Sequence, residues 1–285
     1  MAVTPFFTVI TATLNAAATL PRLLDSLAEQ TCRDFELIIQ DGASSDNTVA
    51  VAETYRERLP ALSLVSEPDT GIYDAWNRAL ERAHGEWALF LGADDALTDR
   101  KVLRQAFERL RVAPEAVLFA CGTVYCLDPR GNLRRTVYPQ ISRGGHMLRD
   151  GCIPVGHTAL FHRRKLFDLV RFDISFRIAG DQELLSRAWD DSAAIDLNMT
   201  VTLMGAGGIS ESPFSTLCTR WEIFRIMWRH FAGHITFRSH LLPLVKGCVL
   251  HLLCMCLGKR HAPAMLDHLR VLRGLPPVWT KQVKE

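Results

Sequence analysis

The first hundred residues alternate between two spacings of apolar positions. FFTVITAT (6–13) is a β-branched and aromatic run and predicts a buried strand. LPRLLDSLAEQ (20–30) places Leu20, Leu23, Leu24 and Leu27 on one face of a helix. The pairing then repeats. Strand FELIIQD (35–41) precedes helix DNTVAVAETYRERL (46–59), whose first aspartate suits a cap. Strand ALSLVSE (61–67) precedes helix GIYDAWNRALERAHG (71–85), which a glycine closes. Strand EWALFL (86–91) precedes helix DRKVLRQAFERL (99–110). Such alternation predicts a parallel sheet with helices on both faces, and in such sheets ligands collect at the carboxyl ends of the strands. Polar residues gather at three strand ends: Asp41-Gly42, Ser66 to Asp69, and Gly92 to Asp95.

After residue 115 the pattern becomes mixed. AVLFACGTVYCL (116–127) and LRRTVYP (133–139), joined by DPRGN, predict a hairpin. TALFHR (158–163) and AAIDLNMTVTLM (193–204) read as strands, and DQELLSRAWDD (181–191) as a short helix. From about residue 214 the chain reads as helical. In TRWEIFRIMWRHF (219–231), Trp221, Phe224, Met227, Trp228 and Phe231 run along one side, with Arg225 and Arg229 away from them. This helix either docks on the body or lies in a membrane surface.

Composition adds little to the fold and more to the partners. The chain has 285 residues, 48% hydrophobic and 22% charged, and a net charge of +2. Residues 211–285 carry 11 Lys+Arg against 4 Asp+Glu, and residues 1–210 carry 22 against 27. A basic tail on an acidic body points either to an anionic surface such as membrane phospholipid or to an ordinary solvated face. The apolar stretch 241–258 is interrupted by Lys246 and His251 and is not read as membrane-spanning. The amino terminus lacks the basic start of a secretory signal, so a cytoplasmic location is expected, with peripheral contact on the inner face of the plasma membrane as the further option. The eight cysteines are scattered and are expected to be reduced and buried.

No G-x-G-x-x-G follows the first strand, and no G-x-x-x-x-G-K-[ST] occurs, which argues against dinucleotide binding and P-loop chemistry. Phosphate must be held otherwise. Two adjacent aspartates, Asp94 and Asp95, end a buried strand, where like charges are unfavourable unless something positive joins them. A divalent cation, Mg²⁺ or Mn²⁺, shared with a substrate diphosphate would satisfy both. The structural alternative makes Asp95 a helix cap and leaves Asp94 exposed.

The stretches TVITATLNAAATLPRLLDSLAEQT, FELIIQDGASSDNT, SEPDTGIYDAWNRAL and GEWALFLGADD resemble family 2 glycosyltransferases. So do GHTALFHRRKLFD, FRIAGDQELLSRA and GGIS, and the bacterial enzymes that build colanic acid and O-antigen polysaccharides are the nearest type. The resemblance implies an α/β chain with the GT-A fold, a mainly parallel central sheet and a helical carboxyl-terminal extension. The catalytic domain would span 1–212, with a nucleotide-binding half (1–115) and an acceptor-side half (116–212), and the basic extension 213–285. It implies a metal-dependent inverting transfer of sugar from a nucleotide-diphosphate donor to a glycan or polyprenyl-linked acceptor in surface polysaccharide synthesis. No nucleic-acid partner is expected.

The resemblance also implies roles. Thr11, Thr13, Asp41 and Asp69 would hold the nucleotide. Asp95 would bind the metal, and Asp94 the ribose or the metal's water. Asp181 would be the general base, although it also suits a helix N-cap. His157 and Glu183 would contact the acceptor or diphosphate. Tyr73 and Trp76 read equally as core or as ligand contacts. Two rival readings are a nucleotidyltransferase, against which the missing glycine-rich basic loop counts, and a catalytically silent sugar-nucleotide binder, against which the intact acids count.

Overall fold

The computed structural model describes residues 4–128, 130–141, 153, 155–205, 215–232 and 241–272. GGIS (207–210), Cys152 and the 212/213 domain boundary lie outside the described residues. Four strands, β1 (Phe7–Thr13), β2 (Phe35–Asp41), β3 (Leu62–Ser66) and β4 (Trp87–Phe90), pair in parallel in the order β3-β2-β1-β4. Helices α1 (Leu20–Ala28), α2 (Thr48–Glu53) and α3 (Ile72–Leu80) connect them, and α4 (Val102–Leu110) follows. α2 is shorter than its pattern suggests. Beyond Glu53 the chain tightens into i→i−3 turns, as Thr54 and Tyr55, poor helix formers, bond back to Val51 and Ala52.

The second half turns the sheet mixed. β6 (Phe119–Leu127) and β7 (Leu133–Val137) form the expected hairpin. β8 (Leu160–Arg163) inserts antiparallel between β4 and β6, and β9 (Ala194–Met204) runs parallel to β6. A two-residue strand, β5 (Ala96–Leu97), pairs antiparallel with the end of β9. Its shortness leaves no period to read in the sequence. The order of the whole sheet is β3-β2-β1-β4-β8-β6-β9-β5, with β7 on β6.

Strand alternation divides the core into two layers. On one face Phe7 and Val9 of β1 meet the α1 leucines, Leu20, Leu23, Leu24 and Leu27, all fully buried, together with Val102, Leu103 and Leu110 of α4. Burying each of those leucines is worth about 1.5–3 kcal/mol. On the other face Ile10, Ile38 and Phe90 meet Tyr73 and Trp76 of α3, and Leu184 and Leu185 of α5 (Gly180–Ala188). Phe90 is the hub of an aromatic cluster, with Trp76, Phe167 and Phe172 ring centroids 4.9, 5.6 and 5.3 Å away.

The extension contributes α6 (Thr216–His230) and α7 (Leu242–Val271). α6 docks on the second layer, but only Met227 and Phe231 of the expected stripe take part. Glu222, Ile226 and Met227 face inward, while Trp221 and Trp228 stay 50% and 65% exposed. Ile226 fits between core side chains in a way that a row of indoles cannot, and Glu222 has buried partners described below. Arg225 and Arg229, expected away from the aromatic side, lie over the Phe176 ring at 4.3 and 5.5 Å. Among the described residues no helix is long and apolar enough to cross a membrane. The cysteine expectation holds only in part. Cys32, Cys121 and Cys126 are buried thiols, but Cys248 and Cys256 are exposed on α7.

Gly85 sets how closely the α3–β4 turn approaches β1. A Cβ there would lie 2.5 Å from the Phe7 carbonyl carbon and from the Thr8 nitrogen, which are fixed by the sheet. Gly85→Ala is therefore expected to lower stability by about 2 kcal/mol or more, read as a shifted denaturant midpoint at unchanged m.

Candidate active site

The carboxyl ends of β1, β2 and β3 stand in register, Thr13 opposite Asp41 and Asp41 opposite Ser66. Their side chains converge on Asp41, which is fully buried. Its Oδ1 accepts the Thr13 and Ser44 hydroxyls, and its Oδ2 accepts the Ser44 N–H (2.8 Å) and the Ser66 hydroxyl (2.6 Å). Burial alone would raise the pKa of Asp41, but these hydrogen bonds outweigh it and hold the carboxyl below its ordinary value. Asp69 lies beside it: a Cβ on Gly42 would meet Asp69 Oδ2 at 2.8 Å. Burial first, then the nearby acids Asp74 and Asp41, push Asp69 above the usual carboxylate range, while the Gly71 N–H and Arg78 pull it down.

The loops after β1 and β2 are laced together by residues that sequence reading missed. Asn15 Oδ1 accepts the Ser45 N–H, and the Ala16 N–H and Ala17 N–H reach Thr48 and Asp46. Asn15 and Ala43 adopt positive φ of 51° and 58°, a conformation that asparagine tolerates and alanine does not favour. The signal for Asn15 was present in TATLN, since asparagine after a strand suits that backbone. Thr11, by contrast, does not reach the cleft. It is fully buried on the face of β1 that carries Phe7 and Val9, and its hydroxyl has no partner among the described residues. Alternation makes Ala12 the β1 residue that lines the neighbouring cavity.

That cavity, about 470 Å³, opens beside the end of β4. Asp94, Asp95, His157 and Asp181 line it together with Tyr73 and Trp76, and Arg135 and Arg177 stand at its rim. Four of the expected site residues thus share one space, although they come from three separate stretches of chain. Asp41 and Asp69 lie outside this lining, at the tips of β2 and β3.

Asp95 is 1% exposed. Its Oδ2 accepts the Gly92 N–H at 2.7 Å, while Oδ1 is buried without a hydrogen bond. Burial first, then the charge of Asp94, push its pKa up to about 7, against the pull of the Gly92 and Gly205 N–H groups and Arg22. The end of β9 closes over this corner, because a Cβ on Gly205 would lie 2.8 Å from Asp94 Oδ2. Among the described residues no three His, Cys, Asp or Glu side chains gather as a metal-binding set. The corner nonetheless fits a divalent cation, since a buried carboxylate oxygen lacks a partner and a second carboxylate stands next to it. Two protein carboxylates, with substrate phosphates and water completing the shell, are a common way of holding Mg²⁺.

Asp181 sits in the first turn of α5, half-buried, with the Tyr73 hydroxyl 3.4 Å from its Oδ1. Tyr73 and Trp76 are at once core and cavity wall. The His157 ring stacks on Trp76 with centroids 5.2 Å apart, and its Nε2 has no partner among the described residues. Burial lowers its pKa, so the imidazole is neutral at pH 7, while Asp181 acts in the opposite sense. Glu183 does not join the site. Two positions after Asp181, a helix turns it by about 200°, and its buried carboxylate pairs with Arg187 at 2.8 Å and faces His230 of α6 at 3.3 Å.

The glycosyl transferase family 2 model matches residues 8–169. A PGL/p-HBAD biosynthesis glycosyltransferase of Mycobacterium bovis BCG is 32% identical over 224 residues, covering 73% of this chain and 80% of its own. Among solved structures, the mannosyltransferase PcManGT of Pyrobaculum calidifontis, in complex with GDP-Man and Mn²⁺, is similar at a TM-score of 0.61 and 21% identity. The match covers 99% of this chain and 84% of that one. TarS of S. aureus with UDP-GlcNAc gives a TM-score of 0.61 at 19% identity, over 86% and 72% of the two chains. The fold is that of the GT-A glycosyltransferases.

The raised pKa of Asp95 has a definite sign in stability. Below about pH 4 the group is protonated whether the chain is folded or not, and its site costs nothing. Between the unfolded value of 3.8 and the folded value of about 7, the native state holds a proton that the unfolded chain releases, so stability falls as pH rises. From pH 4 to pH 7.5 the wild-type protein without added metal is expected to lose, relative to Asp95→Asn, on the order of a few kcal/mol. Paired denaturant titrations of the two proteins across that range measure the difference.

Proposed function

The chain belongs to glycosyl transferase family 2, and from that premise we propose that it is a metal-dependent, inverting transferase. On this reading it moves a sugar from a nucleoside-diphosphate donor to a hydroxyl of a lipid-linked or glycan acceptor in surface polysaccharide synthesis. The observation that carries the reading is the meeting of Asp94, Asp95 and Asp181 in one cavity beside the strand tips.

The nucleotide would lie across the ends of β1, β2 and β3. Asp41 can receive a base N–H in exchange for one of the three hydroxyl donors around it, which rotate freely. Thr13 and Asp69 flank that position. Asp95 and Asp94 would hold Mg²⁺ or Mn²⁺ at the diphosphate, Asp95 through Oδ1, and the bound ion would offset charge on the leaving nucleoside diphosphate. Asp181 would accept the acceptor hydroxyl's proton as oxygen attacks the anomeric carbon from the side opposite the leaving group. Neutral His157 lines the same cavity and has a buried nitrogen without a partner among the described residues, which would suit hydrogen bonding to the acceptor or diphosphate once a ligand reaches it. Tyr73 and Trp76 close the wall and keep water from the reacting centre.

The extension supports contact with an anionic membrane surface on the cytoplasmic side. Trp221, Phe224 and Trp228 stack outward along α6 at 5.9 and 6.2 Å, and Val245, Val249, Leu252 and Met255 are exposed on α7. Apolar faces with a basic tail suit an interfacial helix.

Transfer from UDP-, GDP- and dTDP-sugars in Mn²⁺ tests the chemistry. Asp95→Ala and Asp181→Asn are each expected to lower kcat/KM by about 10² or more, and wild-type rates in both would refute the assignment. Flotation with anionic vesicles tests the surface. Trp221→Ser with Trp228→Ser should release the protein into the soluble fraction, and undiminished binding would remove the membrane reading.

A further inference from the structure

Glu222 is a buried carboxylate that docking of α6 does not require. Ile226 and Met227, both fully buried, already anchor the helix. Glu222 is 3% exposed, and bringing a charge into such a place is costly unless strong hydrogen bonds receive it. Three do so. Oε1 accepts the Arg177 N–H at 2.7 Å, and Oε2 accepts the Ile178 and Ala179 N–H groups at 2.9 and 2.8 Å. The Cys218 thiol adds a weak contact to Oε1 at 3.6 Å. All three peptides belong to the short segment that runs into α5 and ends at Asp181.

The same segment is held from the other side. The Tyr73 hydroxyl donates to the Ile178 carbonyl at 2.6 Å, so the residue is fixed at its N–H by α6 and at its C=O by α3. Arg177 and Ile178 themselves line the cavity. A charged acceptor reading three consecutive peptide N–H groups fixes the direction of a chain far more tightly than apolar packing does.

We propose that Glu222 is a positioning residue for sugar transfer: by clamping residues 177–179 it aims Asp181 at the acceptor hydroxyl. The proposal rests on Asp181 being the base. It makes the extension part of the catalytic apparatus, because a residue beyond the family-matched segment 8–169 sets the geometry of the proton-accepting group.

Glu222→Gln keeps the shape but turns an NH₂ group toward peptide N–H donors. It is expected to lower kcat about tenfold or more, with donor KM within about twofold, because the strand tips that bind the donor do not touch Glu222. Ile226→Ala, which trims the packing of α6 but leaves the Glu222 hydrogen bonds to 177–179 in place, should lower the melting midpoint and leave kcat of the folded enzyme unchanged. Wild-type kcat in Glu222→Gln overturns the proposal, as does an equal loss of kcat in Ile226→Ala. If Glu222→Gln does not fold, Glu222→Asp decides: its shorter carboxylate should reduce kcat at unchanged donor KM, and wild-type kcat again overturns the clamp. Asp181→Asn run alongside separates the two layers. An inactive Asp181→Asn beside a fully active Glu222→Gln removes only the clamp, whereas wild-type kcat in Asp181→Asn removes the base assignment beneath it.

Discussion

Repulsion between two carboxylates at the mouth of a sheet governs the organisation of this molecule. β4 delivers Asp94 and Asp95 side by side, the first half-buried and the second buried. Asp95 has one oxygen satisfied by the Gly92 N–H and one left without a hydrogen bond, and burial, then the charge of Asp94, raise its proton affinity. A fold built for stability alone would place an apolar residue there. The surrounding elements, from the end of β9 to the aromatic wall of α3, instead enclose the pair and leave a cavity on one side of it.

The acids of the protein show how environment assigns work to identical groups. Asp41 is as buried as Asp95, yet hydroxyls and a peptide N–H surround it, so it stays ionised and organises three strand tips. Glu183 is spent on an ion pair with Arg187. Glu222 is buried among peptide N–H groups and holds backbone in place. Asp181 keeps one face toward the cavity.

Much of this was legible in the chain. Leucine spacing gave α1 and its buried face, and continuous apolar runs gave β1, β2 and β4 because those strands are buried on both sides. The candidate acids at the ends of β2, β3 and β4 were legible as strand-end clusters, and Asp181 through the family resemblance. What escaped reading depended on contacts distant in sequence. The inward face of α6 was misjudged because Glu222 looks polar until its partners, more than forty residues earlier, are known. Glu183 was misplaced because sequence proximity to Asp181 concealed the helical turn between them. Thr11 was assigned to the cleft although it lies one pleat below Thr13, within the buried body of β1. β5, at two residues, carries no pattern at all.

That two-residue strand has a consequence for biosynthesis. Ala96 and Leu97 follow Asp95 directly and pair with Leu203 and Thr202, and the Leu97 N–H also donates to the Ser26 hydroxyl of α1. The corner that bears the paired acids is therefore pinned on one side by β9, the last strand among the described residues. A nascent chain leaving the ribosome amino terminus first can assemble the β1–β4 layer early, but the corner must wait until some hundred further residues have emerged. Closing so long a loop is slow relative to local pairing. The electrostatically unfavourable part of the molecule is thus completed late, after the leucine layer between β1, β2 and α1 can form.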